Sequence, residues 1–392
     1  MLTRIKSEVT MWRVILAIIF TTGIYATYVR FFEGFRASTN LSDRMPWGLW
    51  VGLGTLCGIG LSAGGFGISA AVYLLGMERY RPILRASILI SFLGYLTVCV
   101  GYLYEIGLPW RFWHPVVMWN HTSVLFDVCV CIMTYTTVLT FEFAPAVIEK
   151  LPWKGFRDVV LRWHHKILIG VVLAGVLLSS MHQSFLGGLY LIARGKVHPL
   201  WYSPYMHAMF YLSAIPAGLA LTVLAIHLCM RSLNVRVDFS ILSDCGRVIQ
   251  LLLVVFALFK VLDLVSNQAI GYAFQRTAEA GYFWLEMALF VIIPVALLSM
   301  KSVRSNPEKL YLTCAVVIAG FMVNRINVSI NSLQSAMGGH YVPRWTELAS
   351  SVLVIAAAVV VFRYAVIYLD ILPKAKPQAF TRWLNTGSPA NA

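Results

Sequence analysis

The sequence predicts an all-α integral membrane protein of about ten transmembrane helices with both termini in the cytoplasm, and three observations predict it. The chain of 392 residues is 59% hydrophobic and 12% charged, a membrane composition. Its apolar residues fall in long blocks rather than at amphipathic spacing, at roughly 12–33, 47–75, 86–106, 119–146, 164–186, 206–230, 246–270, 281–300, 308–329 and 346–372. A hydrocarbon core ~30 Å thick takes ~20 residues of helix, so each block is long enough to cross once. Finally, the density of Lys and Arg alternates from one connection to the next.

The basic residues settle the expected sidedness. Arg4, Lys6 and Arg13, the even loops (Arg79, Arg81, Arg85; Lys150, Lys154, Arg157, Arg162, Lys166; Arg231, Arg236, Arg247; Lys301, Arg304, Lys309) and the tail (Lys374, Lys376, Arg382) total twenty. The odd loops hold eight: Arg30, Arg36, Arg44, Arg111, Arg194, Lys196, Arg276 and Arg344. By the positive-inside rule the first set is cytoplasmic. The net charge of +14 is thus spread over loops and not gathered into a nucleic-acid patch. Breakers such as Leu108-Pro109, Leu151-Pro152, Asn306-Pro307 and Gly338-Gly339 separate blocks. Connections on the order of 8–20 residues leave almost nothing for a soluble domain, so 1–392 reads as one polytopic unit.

Taken in order, the first block is too long, and lacks the small-residue cleavage site, for a removable signal peptide. The second is crowded with Gly52, Gly54, Gly58, Gly60, Gly64, Gly65 and Gly67, the composition of close helix packing or of a ligand contact. Ionisable residues at bilayer depth cost at least ~2.5–3.5 kcal/mol each and are functional candidates by default. The third block brings Tyr95 and Glu105, and the fourth Asp127, Tyr135 and Glu142. Asp127 and Glu142 lie ~22 Å apart along the axis, one carboxylate in each leaflet. The fifth block carries His182 and Gln183, the sixth His227, the seventh Lys260 and Asp263, the eighth Glu286, the ninth Arg325, the tenth Arg363. Lys260 and Asp263 are i, i+3 and can neutralise each other, and Arg325 can do the same for Glu286 or Asp127. Asn324, Asn327 and Asn331 form a polar seam, against a neighbouring helix or a water-filled cavity.

The seven cysteines contain no CxxC pair and no cluster-ligand run, so they read as packing residues. Of nine histidines, only His182 and His227 fall within helix interiors, in opposite leaflets, which argues against haem between helices. No metal site is expected. Any electrons would have to reach this chain from clusters in another subunit.

The segments Pro46-Trp47-Gly48-Leu49-Trp50, Asn120-His121-Thr122-Ser123-Val124-Leu125-Phe126-Asp127, Leu139-Thr140-Phe141-Glu142-Phe143-Ala144-Pro145-Ala146 and Met181-His182-Gln183-Ser184, with Gly195-Lys196-Val197-His198-Pro199-Leu200-Trp201, resemble the NrfD/PsrC family of membrane quinone-reactive subunits. Within it the likeness is to the HybB-like branch of periplasmic [NiFe] hydrogenases, and it runs from about Pro46 to the tenth block. The resemblance implies two four-helix bundles, about 47–186 and 206–329, with flanking helices at about 12–33 and 346–372. It further implies no haem or iron–sulfur cluster in this chain, and a quinone (menaquinone) as substrate near the periplasmic face. The implied partners are a ferredoxin-like iron–sulfur subunit and the hydrogenase large and small subunits, with proton translocation linked to the bundle. The chain itself would not act on hydrogen. Asp127 stands where these relatives have Glu, and His227 where they can have Glu; the second change leaves the inner end of a proton path in doubt.

Quinone reduction adds two electrons and two protons, which asks for a buried carboxylate or imidazole beside the headgroup. Asp127 and His182 are therefore the expected catalytic residues. Tyr95, Glu105 and Gln183 join them in the expected quinone site, and Trp47 and Trp50 frame it or belong to an interfacial aromatic belt. Asp127, Tyr135, Glu142, His227, Asp263, Glu286 and Arg325 are the expected proton-path residues, and Lys196, His198 and Trp201 the expected docking surface for the partner. Three other readings compete: the same fold serving polysulfide, nitrite or multihaem cytochrome complexes, an ion-coupled transporter using Asp127, Asp263 and Glu286, and a purely structural anchor.

Overall fold

A computed structural model describes residues 11–193, 195–233 and 235–374. The charges counted at Arg4, Lys6, Arg194, Lys376 and Arg382 lie outside them. Ten helices long and apolar enough to cross a membrane are present among the described residues. They are α1 (Met11–Glu33), α2 (Trp50–Leu74), α3 (Glu78–Glu105), α4 (Val124–Ile148), α5 (Lys154–Leu191), α6 (Met206–Ser232), α7 (Phe239–Ser266), α8 (Ala278–Ser299), α9 (Pro307–Met337) and α10 (Trp345–Tyr368). The described residues form no strand, only two isolated bridges. The protein is an all-α, multi-pass integral membrane protein.

The helix starts follow local chemistry. Ser123, Asp238, Thr277 and Asn306 each accept a backbone N–H of the first turn with a side-chain oxygen, and Pro307 follows Asn306 at the position where a missing N–H does no harm. Several helices outrun their apolar blocks, α7 at its start (Phe239) and α9 at its end (Met337) among them. α3 begins at Glu78 and α5 at Lys154, because charged and aromatic turns continue a helix after its lipid-facing stretch has ended; α5 reaches 38 residues. α2 is wound as π-helix at Trp50–Cys57 and Ala70–Leu74, α8 at Ala288–Ile292 and α9 at Asn327–Asn331.

Packing closes two rings. α2 packs on α3, α3 on α4, α4 on α5 and α5 back on α2; α6 to α9 close in the same way. α2 and α5 meet α6 between the rings, and α2 also meets α9. α1 pairs with α10, which lies along α3. Gly64 and Gly218 let the two rings touch backbone to backbone: a Cβ on Gly218 would sit 2.2 Å from the Gly64 nitrogen, and one on Gly64 2.4 Å from the Gly218 oxygen. Lipid supplies no hydrophobic force between helices, so such close approach is what holds a bundle together. Not every glycine of α2 serves this purpose: a Cβ on Gly54 meets nothing within 4 Å.

Connections alternate between two faces. One carries Arg79, Arg81, Lys150, Arg236, Lys301 and Lys374 and is called here the basic face; the opposite face carries the loops 34–49, 106–123, 192–205, 267–277 and 338–344. Gly218→Leu is expected to force the rings apart and lower stability by about 1–3 kcal/mol. A melting curve of the detergent-solubilised protein checks this, with Gly54→Ala expected at or slightly above the parent value.

Candidate functional site

Eight residues into α8, Glu286 is fully buried. Its carboxylate accepts three N–H donors: Trp201 Nε1 at 2.8 Å, Asn324 Nδ2 at 2.7 Å and Asn327 Nδ2 at 2.8 Å. Asn327 also reaches the Tyr282 carbonyl, and Asn331 donates to Asn327, so the asparagine seam faces α8. Arg325 does not pair with Glu286. Its Nη1 donates to Asn324 Oδ1 (2.8 Å), its Nη2 to Ser213 Oγ (2.9 Å) and the Phe210 carbonyl (3.1 Å), and the guanidinium lies 3.9 Å from the Phe210 ring centroid. Asn324 thus stands between the two charges as an amide relay. Nor do Lys260 and Asp263 neutralise each other through a hydrogen bond among the described residues. Lys260 donates to the Leu200 carbonyl (2.7 Å), while Asp263 accepts from Ser203 (2.6 Å) and Asn267 (2.7 Å).

Three buried ionisable residues of the second ring therefore grip one segment, 200–203. This corrects one expectation. Trp201 is 2% exposed and turned into the ring, so it is no surface contact. Lys196 is exposed and His198 half-buried; burial holds the His198 imidazole below its usual range.

In the first ring the polar groups are arranged differently. Tyr95 Oη lies 3.1 Å from His182 Nδ1, and the Tyr95 ring meets Tyr135 edge-on at 4.6 Å between centroids. Gln183 donates to the Ile59 carbonyl (2.9 Å), and Thr55 to Glu105 (3.2 Å). Nearer the basic face, Glu142 accepts from Ser69 at 2.5 Å. Gly175 of α5 borders both Tyr135 and Glu142: a Cβ there would lie 3.8 Å from the Tyr135 ring and 3.9 Å from Glu142 Oε2. Among the described residues five buried polar atoms of this ring have no hydrogen-bond partner: Tyr135 Oη, Ser179 Oγ, His182 Nε2, Gln183 Oε1 and Tyr190 Oη; nor do His227 Nε2, Asp263 Oδ2, Arg325 Nε and Ser332 Oγ of the second ring. Buried polar groups are rarely left so, and a cluster of them is a place for a polar guest. Below it, Glu142 lines a cavity of about 580 Å³ on the basic face, with Arg81, Arg85, His164 and Lys374 around it.

Other expected residues stand apart. Asp127 is half-buried, at the opposite-face end of α4. It shares a face with Cys131, whose thiol meets the Leu178 carbonyl of α5. His227 belongs to the second ring: its Nε2 is 3.7 Å from Glu308 and its ring stacks on Tyr311, so it does not join Glu142. Trp47 packs edge-on against Tyr190, and Trp50 is buried, donating to Ser350; neither is a lipid-facing belt residue. The sequence reading missed Ser69, Ser179 and Tyr190. Ser179, His182, Gln183, Leu186 and Tyr190 lie at i, i+3, i+4, i+7 and i+11 on one buried stripe of α5, and that spacing was the available signal. Among the described residues no group of three His, Cys, Asp or Glu side chains is placed to hold a metal ion.

Trp201→Phe removes one of the three donors to Glu286 and is expected to destabilise the protein by about 1–3 kcal/mol. The loosening is local, so hydrogen exchange should rise in 195–205 well before it rises in α2 to α5.

The family model described as polysulphide reductase, NrfD, matches residues 37–336, which takes in both rings. Over 377 residues the chain is 33% identical to a protein of Nitratidesulfovibrio vulgaris, covering 94% of this chain and 96% of the other. It is 29% identical over 354 residues, 89% of each chain, to the probable Ni/Fe-hydrogenase 2 b-type cytochrome subunit of Escherichia coli. To the integral membrane subunit of menaquinone reductase of N. vulgaris it is 27% identical over 395 residues, 94% of this chain and 93% of that one. With a match that spans both helix rings and relatives aligned nearly end to end, the chain belongs to the NrfD family of membrane proteins.

Proposed function

We propose that this chain is the quinone-reactive membrane subunit of a respiratory oxidoreductase complex. In this reading its basic face lies in the cytoplasm and it passes electrons between a partner's iron–sulfur clusters and quinone bound near the opposite face. The observation that carries the reading is the cluster of unpartnered buried polar atoms in the first ring, flanked by Glu105 and Tyr95–His182 on one side and by Glu142 with its open cavity on the other. The relatives' names favour menaquinone as the quinone and a Ni/Fe hydrogenase as the partner; in our reading that partner is periplasmic and brings large, small and ferredoxin-like iron–sulfur subunits. The same site would serve any other electron-donating partner of this family equally well.

Two electrons and two protons convert the quinone to quinol. The electrons come singly from the partner's cluster, which supplies redox chemistry and nothing else. The protons are this chain's task. His182, held at Nδ1 by Tyr95, has Nε2 unpartnered among the described residues and can hold one headgroup oxygen; Glu105, steadied by Thr55, is the group for the other. Asp127 sits at the opposite-face mouth as a further carboxylate. Tyr135 and Glu142 continue inward to the basic-face cavity and form the proton route, with water in the intervening polar cluster. His227 is left out of this route because it belongs to the other ring, and Asp263, Glu286 and Arg325 because they hold the 200–203 segment and its surroundings. The first ring carries the chemistry and the second holds the docking loop, on which Lys196 and His198 are the partner-facing residues.

The test uses the purified complex and compares a menaquinone analogue with an artificial acceptor that takes electrons directly from the partner. Glu105→Gln and His182→Gln are expected to slow quinone reduction about 100-fold, the usual weight of a general acid–base group, while the artificial acceptor keeps its rate. Parent-like quinone rates in both variants would overturn the site; absence of a co-purifying hydrogenase would move the chain to another partner. Glu142→Gln is expected to change the uncoupler sensitivity of the quinone-linked reaction. An unaltered response would leave quinone chemistry in place and remove the proton route.

A further inference from the structure

Between α2, α3, α6, α9 and α10 runs a second cavity, of about 390 Å³, quite unlike the polar one below Glu142. Among the described residues no charged side chain lines it. Along α3 it extends from Tyr104 to Ile90, ~21 Å at 1.5 Å per residue, so it is long and narrow and runs with the helices across the apolar layer. Its glycines are of two kinds: Gly58 and Gly94 are packed, a Cβ on them lying 2.8 Å from Val98 and 1.9 Å from Ser62. Gly54 and Gly101 both line it, and a Cβ built on either meets nothing within 4 Å, whereas Gly52, Gly60, Gly64 and Gly65 of the same region are pressed against neighbours at 2.2–2.6 Å. The first two are not small because helices touch there; their smallness leaves room for something that is not protein.

The upper end of the groove lies near the site already described. Gly101 lies one turn from Glu105 on α3 and Gly54 precedes Thr55 in α2, so this end of the groove lies beside the Thr55–Glu105 hydrogen bond, neither partner of which is among its lining residues. Trp50 and Ser350 close that end, joined by a hydrogen bond of 3.1 Å, and Phe362 stands at the other. A phospholipid would bring a phosphate to the upper end. The nearby cation, Arg30, is buried there and donates to the carbonyls of Tyr104 and Ile106 at 2.7 Å each, so the groove is built for a chain whose polar end is uncharged.

We propose that this groove seats the isoprenoid tail of the quinone, with its headgroup turned in at Thr55 and Glu105. The proposal rests on the quinone reading above and adds where the tail lies and which residues measure its length. Helix α10, outside both rings, is then a wall of the binding site.

The complex is assayed with a long-tail menaquinone and with a tail-less naphthoquinone, for the parent and for Gly101→Leu and Ala358→Phe, which fill the groove from α3 and from α10. The expected result is that the ratio of kcat/KM for long-tail over tail-less quinone falls about tenfold in each variant, the loss of a few buried methylene contacts. An unchanged ratio in both variants overturns the proposal. So does native mass spectrometry showing a phospholipid bound to the parent and lost from Gly101→Leu. A parent complex that reduces neither quinone sinks the quinone reading itself, an outcome distinct from an unchanged ratio.

Discussion

A carboxylate buried in hydrocarbon must be met inside the protein or not ionise at all, and the arrangement around Glu286 is the point from which the second ring is organised. Three N–H donors reach it from two directions: the asparagines of α9 and the indole of a segment lying between α5 and α6 in the chain. That segment would otherwise lie over the opposite face. Instead it enters the ring, and Lys260 and Ser203 tie its backbone and side chains on either side of Trp201. Arg325 then takes its place through Asn324 and grips α6. Charge satisfaction has done here what apolar packing does in a soluble core. It fixes one geometry by making every alternative leave a donor or acceptor alone.

The two rings share an architecture and differ in which polar groups they leave over. In the second ring both oxygens of Glu286 are met by two amides and an indole, while Asp263 Oδ2 and Arg325 Nε are left over among the described residues. In the first, hydroxyls, an imidazole and an amide are buried together without enough partners. A protein can tolerate such a deficit where a guest completes it, and the deficit coincides with the ring that also has a carboxylate reaching a cavity on the basic face. Contact at Gly64 and Gly218 joins the two rings backbone to backbone.

The ten spans were legible in the sequence because hydrocarbon demands about twenty apolar residues wherever a helix crosses it, and no tertiary effect overrides that demand. Helix length was not, since the first turns of α5 are charged and aromatic and carry no apolar signal. Within the site, Tyr95 and His182 were legible as polar residues at bilayer depth, and the structure brings them together. Trp201 was misjudged because a loop next to a membrane face looks exposed in sequence, and only the burial of Glu286 opposite reveals why it turns inward. Asp263, Glu286 and Arg325 looked alike as intramembrane charges. Of the three, Glu286 has both oxygens met while Asp263 and Arg325 each keep one polar atom without a partner among the described residues, a difference set by the neighbouring helices and not by the residue. The π-helical turns of α2 add to the difficulty: each shifts the face that follows, so counting by 3.6 across Trp50–Cys57 drifts from the faces the helix presents.

At 38 residues, α5 is ~57 Å long, nearly twice the ~30 Å of a bilayer's apolar core. Its surplus on the basic face is not bare: exposed Trp153, Phe156 and Trp163 alternate with Lys154, Arg162 and Lys166, the mixture that settles at headgroup level. His164 in the same stretch bonds to the Phe141 carbonyl, next to Glu142. The girdle on α5 therefore sets how far below the headgroups the Glu142 carboxylate rides. Bilayer thickness becomes a variable of the protein: in a thinner membrane the girdle and the opposite-face loops cannot both stay at their preferred levels, and the resulting tilt of α5 falls on the contact between α4 and α5 at Gly175.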